Sequence, residues 1–280
     1  MSGHEFDPGP TSEPFRTLVR EYPGPAVYPA KDFRVEWGPI FHRGRLDGSA
    51  RVLIVGQDPG QHESIAKRCL VGEAGQRVQG FLAKLGITHS YIAINAFLYS
   101  VFGQHAGEKH ADNPDIAAYR NRWLDALLLD SNIDAVLTFG HISREALEGW
   151  REAHPERAAE LLFEPMIHPT MPEASSKGDA AKKAAAMTKM LAQYNEALTR
   201  LDAAIDERDD ERELVLYGDT LTEADRATIP EVDFPLGAPA WWSSPKGWAT
   251  RKGDTTEEKR ATIEVRVPPS ERPWEKIEPE

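Results

Sequence analysis

Apolar residues in this chain fall into two alternating kinds of run. Val52-Leu53-Ile54-Val55 is an unbroken aliphatic block closed by Gly56, the pattern of a strand buried on both faces that runs into a tight turn. Tyr91-Ile92-Ala93-Ile94 closed by Asn95, residues 134–139 closed by Gly140, and residues 162–167 closed by His168-Pro169-Thr170 repeat the design. Between these blocks the apolar spacing changes to three and four. Val78, Phe81, Leu82 and Leu85 share one face of a helix over 75–85 that Gly86 stops. Ile116, Tyr119, Trp123 and Leu127 do the same over 114–129, a further helix begins over 143–150, and Met187, Met190, Leu191, Tyr194, Leu198 and Leu201 mark a long helix over 179–207. A short helix is expected over 14–22, and residues 23–48, with Trp37 and Phe41, have the composition of a loop. Strand alternates with helix four times. That predicts an α/β fold, a three-layer α/β/α sandwich around a central four-stranded parallel sheet.

The pattern changes at about residue 208. Residues 1–207 are expected to form the α/β domain, with a loosely held start over 1–12. Residues 208–280 are proline-rich, carry Trp241-Trp242, Trp248 and Trp274, and lack the apolar spacing of an independent core. They are expected to form an irregular C-terminal extension packed on the main domain. No internal repeat is visible.

Composition narrows the function classes. No apolar run approaches the length of a membrane span, and the first 30 residues have no apolar segment of the kind a signal peptide needs. Cys69 is the single cysteine, which excludes an internal disulfide, fits a reducing compartment and cannot supply a four-cysteine iron–sulfur cluster. The net charge is −12, which leans against a polyanionic partner. Its distribution is uneven, however: residues 202–280 hold 20 acids and 11 bases, against 25 and 22 in the rest. A locally basic face on the main domain is therefore compatible with the sequence.

The candidate chemistry sits where the strands end, the place where open α/β sheets bind ligands. The chain reads Gly56-Gln57-Asp58-Pro59-Gly60 after the first strand, Asn95 after the second and His168-Pro169 after the fourth. Each residue also has an ordinary structural role open to it: Asp58 as a helix cap, Asn95 as a turn residue, His168 as a histidine braced by the turn proline. As a set, in this order, they resemble the uracil-DNA glycosylase superfamily. Gly56-Gln57-Asp58-Pro59 matches the GQDPYH motif of that superfamily's first family, with Gly60 where that family has a tyrosine excluding thymine's methyl group. Pro59-Gly60 followed by Leu70-Val71-Gly72-Glu73-Ala74-Gly75 resembles the GE-x-PG and PFVG-x-AG motifs of its fourth family in the same register. Leu70 stands where that family stacks a phenylalanine on uracil, and the cluster-binding cysteines are absent. The resemblance covers roughly residues 50–195, and the tail has no counterpart.

The resemblance implies a monofunctional DNA repair hydrolase that flips deoxyuridine out of the stack and cleaves its N-glycosidic bond. Asp58 would stabilise positive charge on the sugar and orient water. His168 would stabilise the leaving base. Asn95, whose amide both donates and accepts, would read uracil O4 and N3–H, with Gln57, Gly60, Glu63 and Leu70 also around the base. The segment after His168, comprising Pro169, Thr170, Met171, Ser175, Ser176 and Lys177, would press on the DNA, with Met171 as an apolar wedge and the serines and lysine on phosphates. Lys182, Lys183, Lys189 and His141 are further candidate contacts. No cofactor and no metal are expected. The expected partner is uracil-containing DNA, single- or double-stranded, bound by a cytoplasmic monomer associated with the nucleoid through DNA. Excision of other deaminated bases, hypoxanthine or xanthine, and non-catalytic DNA binding are the alternatives.

Overall fold

The computed structural model describes residues 6–272. Its main sheet has the order β1-β3-β2-β4-β5, with β1 Arg43–Gly44, β2 Val52–Gly56, β3 Tyr91–Asn95, β4 Ala135–Phe139 and β5 Leu162–Met166. β2 pairs in parallel with β3 and β4, and β4 with β5. The helices are α1 Phe15–Arg20, α2 Gln61–Ala66, α3 Glu73–Lys84, α4 Gln104–Lys109, α5 Pro114–Leu128, α6 His141–Ala153, α7 Pro155–Ala159, α8 Met171–Ser176, α9 Ala180–Ala204 and α10 Thr256–Ala261. Alternation along β2 divides the core into two layers. Leu53 and Val55 pack with α1, α5 and α6 through Phe15, Trp123 and Trp150. Val52 and Ile54 pack with α3 and α9 through Phe81, Met190 and Tyr194. The expected three-layer α/β sandwich is the observed architecture.

The sheet has five strands rather than four. The additional strand, β1, runs antiparallel to β3 and is two residues long. Its sequence carries no apolar run, because its buried side chain is an arginine. Arg43 is fully buried and donates to Tyr91 Oη at 2.7 Å and to Asp233 Oδ2 at 2.8 Å. Gly44 completes the strand at φ +101°, where a Cβ would stand 2.3 Å from the Tyr91 carbonyl oxygen.

Residues 208–272 lie over the sandwich and are less irregular than their composition suggests. They contain an antiparallel hairpin, β6 Ala249–Arg251 with β7 Ile263–Val265, and the short helix α10. Several contacts hold the segment. Asp209 Oδ2 accepts the backbone N–H groups of Thr88, His89 and Ser90 at 2.6, 2.7 and 2.9 Å. Asp233 meets Arg43 and Arg45. Ile229, Phe234 and Trp248 pack with Ala66 and Val71. The start of the chain is also held: Asp7 is buried against Arg68 at 2.9 Å, and its N–H donates to the Val232 carbonyl at 2.7 Å. The first five residues and Trp274 lie outside the described residues.

Asp233 supplies the carboxylate for a guanidinium that has no access to water. Asp233→Ala leaves Arg43 charged and buried, and stability should fall by about 3–5 kcal/mol. Urea unfolding of the full chain measures this. A loss below about 1 kcal/mol would show that the pair does not anchor the extension.

Candidate active site

β2 delivers the first loop. Gly56 is required there by a close approach: a Cβ would stand 2.3 Å from Asn95 Oδ1. The parallel pairing runs on past the strands, with the Ala96 N–H on the Gly56 carbonyl at 2.8 Å and the Phe97 N–H on the Gln57 carbonyl at 3.0 Å. The chain then turns away through Asp58, Pro59 and Gly60 into α2. Glu63 fixes this turn. Its Oε2 accepts the Gly60 N–H at 2.9 Å, while its Oε1 accepts the N–H groups of Val71 at 2.8 Å and Gly72 at 3.0 Å. One buried carboxylate thus ties the first motif to the second. In the second, Leu70 has φ +53°, and Gly75 lets α3 close on it, since a Cβ there would fall 1.6 Å from the Leu70 carbonyl oxygen.

β5 delivers His168. Ile167 is held on both sides, its N–H by Gln193 Oε1 at 2.7 Å and its carbonyl by Tyr194 Oη at 2.8 Å. The Thr170 N–H donates to His168 Nδ1 at 3.3 Å, which assigns the proton of the neutral ring to Nε2. Arg77 on α3 braces the turn. It donates to the Pro169 carbonyl and forms ion pairs with Glu73 at 2.6 Å and Glu173 at 2.9 Å. Burial, followed by the nearby Arg77 charge, pushes the His168 imidazole down to about 4, so the ring is neutral at physiological pH.

Asp58 is pushed the other way. Burial raises its carboxyl from 3.8 to about 6. The Val101 N–H on Oδ2 at 3.1 Å, Arg251, the Gln57 amide on Oδ1 at 3.3 Å and Arg34 oppose the shift. Arg34 also donates to Ser100 Oγ at 3.1 Å and to the Val101 carbonyl, so it steadies the segment that bonds Asp58.

Two cavities open at the carboxyl ends of the strands, of about 650 and 630 Å³. Asp58, His168, Thr170 and Arg251 line both. Gln57, His141 and Met171 line the first, and Gly60, Glu63 and Leu70 the second. Acid, histidine and both motif loops therefore converge as the sequence leads one to expect. Three expected contacts take a different form. Asn95 is buried, donates to Cys69 Sγ at 3.4 Å and lines neither cavity. Glu63 is at the wall, but both its oxygens are engaged by backbone N–H groups. The segment after Thr170 is the helix α8, not an open loop. In it Pro172 is buried, and the buried Ser176 hydroxyl donates to the Glu173 carbonyl at 3.0 Å instead of facing phosphate. Ser175 and Lys177 are exposed at its far end, and Pro169 is buried beneath it.

The sequence reading missed the arginines. Arg34 and Arg251 lie in segments without apolar periodicity, and Arg77 sits on a helix where an arginine has the pattern of a solvated residue. His62 has a structural part: its Nε2 accepts the N–H groups of Trp248 and Ala249, both at 3.2 Å, and docks the extension on α2. Cys69 stands alone and buried, so a cluster held by four thiolates finds no ligand set in this chain. Among the described residues, no group of three or more His, Cys, Asp or Glu is placed to hold a metal ion, and no helix is long and apolar enough to cross a membrane.

A family model described as the uracil DNA glycosylase superfamily matches residues 43–198. No curated protein matches the chain. The matched span runs from β1 into α9, so it contains the main-sheet strand ends that line the cavities and excludes the hairpin that carries Arg251.

The Glu63 bridge makes a quantitative statement. Glu63→Ala strands three N–H groups and should cost at least about 3 kcal/mol, since charge-assisted bonds count more than neutral ones and an unmet buried donor is costly. Denaturant titration reads the loss. Stability within about 0.5 kcal/mol of the parent would mean that the two loops hold without the carboxylate.

Proposed function

Because the chain belongs to the uracil-DNA glycosylase superfamily, we propose that it removes uracil from DNA by hydrolysing the N-glycosidic bond of deoxyuridine, leaving an abasic site. The coarse activity, that of a DNA glycosylase acting on DNA, goes with the family. The base is the proposal. The observation that carries it is the pairing of an acid and a neutral histidine around one pair of cavities at the ends of β2 and β5.

Cleavage builds positive charge on the sugar and negative charge on the departing base. The Asp58 carboxylate, once ionised, stabilises the first and orients the attacking water. His168, with its proton on Nε2, donates to the uracil O2 as the second develops. A neutral donor suits an anionic leaving group without first requiring a proton from solvent. Asn95 reads the base in this proposal, exchanging its Cys69 contact for uracil O4 and N3–H. Gln57 and Gly60 border the flipped nucleotide, and Leu70 forms an aliphatic wall in place of an aromatic one. Thr170 and Met171 lie at the mouth, with Ser175 and Lys177 on the exposed end of α8 toward the strand. Base–aromatic stacking is worth about 1–3 kcal/mol per base. Its absence at Leu70, with glycine at position 60, favours a second reading in which hypoxanthine or xanthine also enters.

The acid is tested first. Asp58→Asn should lower the single-turnover rate by about 2–4 kcal/mol of transition-state stabilisation. Folding raises this carboxyl, so its contribution to stability falls as pH rises from 3.8 through about 6. The Asn variant should therefore be as stable as the parent at neutral pH, or more so. A rate loss below threefold would remove Asp58 from catalysis.

The pH profile follows from the same groups. kcat/KM should rise tenfold per pH unit below about 6 and level off above it, as Asp58 ionises. His168 titrates near 4 and adds no descending limb at neutral pH. A rate that falls between pH 6 and 8 would mean that a protonated group, not an ionised Asp58, limits the reaction.

Base choice is tested on matched duplexes carrying uracil, thymine opposite guanine, hypoxanthine or xanthine. Uracil should be removed fastest, and Asn95→Asp should lose most of that activity. Equal rates on uracil and a second base would favour the broader reading, and an unchanged Asn95→Asp rate would assign recognition elsewhere.

A further inference from the structure

The hairpin formed by β6 and β7 places a cation in the reaction centre from outside the matched family span. Its position is tightly determined. His62 on α2 accepts the N–H groups of Trp248 and Ala249. Trp248 stacks on Trp242 with ring centroids 5.5 Å apart and an 8° interplanar angle, and meets the His62 ring edge-on at 4.8 Å. Ala249 is buried against the main body. Side chains two apart on a strand share a face; Ala249 is buried, and Arg251, exposed at the end of the strand, reaches the wall of both cavities beside Asp58.

Arg251 lines both cavities, with its guanidinium carbon 5.9 Å from the centroid of the Trp37 ring. Among the described residues its guanidinium makes no hydrogen bond or ion pair. The two acids that attract it are already occupied: Glu63 by three backbone N–H groups, Asp58 by Val101 N–H and the Gln57 amide. Burial pulls the guanidinium down, and only the attraction of Asp58 and Glu63 opposes this. An exposed guanidinium where two cavities meet, without an acceptor among the described residues, suits an anion with several oxygens.

We propose that Arg251 binds a backbone phosphate of the DNA strand at the junction of the two cavities, so that the C-terminal hairpin completes the substrate site. The inference rests on the glycosylase reading for its substrate, and it assigns the tail a part in binding that the family match does not cover. In a chain of net charge −12, DNA affinity depends on such local cations.

The test uses the full chain and a labelled single-stranded oligonucleotide carrying one deoxyuridine, with binding followed by fluorescence anisotropy across salt. Arg251→Ala should bind about tenfold more weakly at low salt. Its slope of log affinity against log salt should fall by about 0.7, the contribution of one phosphate contact on a single strand. Arg251→Lys keeps a charge and should recover the slope while remaining weaker, because a point charge replaces a fork of donors. Lys252→Ala, next to Arg251 but paired with Glu264 at 3.3 Å, should leave the slope unchanged.

An unaltered slope in Arg251→Ala, or an equal drop in Lys252→Ala, overturns the proposal. So does a loss of kcat in Arg251→Ala with parental affinity and slope, which would place Arg251 on Asp58 alone. If the parent releases no uracil, the glycosylase reading fails while the binding series still decides the role of Arg251.

Discussion

The Glu63 carboxylate is the constraint on which the site depends. It stands on the first turn of α2 and reaches in two directions, to the Gly60 N–H behind it and to the Val71 and Gly72 N–H groups ahead. The loop that carries Asp58 and the loop that carries Leu70 are therefore one rigid body. Gly75 lets α3 seat directly on the Leu70 carbonyl, and α3 in turn carries Arg77 to the Pro169 turn. A chain of polar contacts thus runs from the end of β2 to the end of β5. These polar contacts set the position of Asp58 and His168, the two reacting side chains of the proposed mechanism, and such positioning is where much of an enzyme's rate originates.

Burial sets the chemistry of those two groups in opposite senses. It raises Asp58 and lowers His168, because in each case it disfavours the charged form. The result at neutral pH is an ionised acid kept from complete desolvation by Val101, Gln57 and two arginines, facing a shared space with an uncharged proton donor. Arg34 comes from the loop before β1 and Arg251 from the hairpin beyond α9. The electrostatics of the centre therefore draw on both ends of the chain, although the elements that define the fold lie between them.

What the sequence revealed and what it hid have a common physical cause. β2 and β3 were legible to the residue or nearly so, since a strand buried on both faces must be aliphatic throughout. The placement of Asp58, Gln57 and His168 beside the cavities was legible because polar residues at the ends of such strands have few other reasons to interrupt them. β1 was hidden, because Arg43 is buried through partners 48 and 190 positions away. β6 and β7 are three residues each and half exposed, so no periodicity marks them. The roles of Glu63 and Asn95 depended on the directions of hydrogen bonds, which spacing does not encode. The helix α8 did leave a signal, a proline at its second position, which suits a first turn that has no need of that N–H.

The proposed reaction breaks one bond, the link between base and sugar, and leaves the phosphodiester chain whole. The most direct measurement is product analysis after incubating the purified chain with an oligonucleotide carrying a single deoxyuridine. Free uracil and an uncut strand with one abasic sugar are expected, in equal amounts. No free base, or a strand cut at the deoxyuridine while the base is retained, would contradict it.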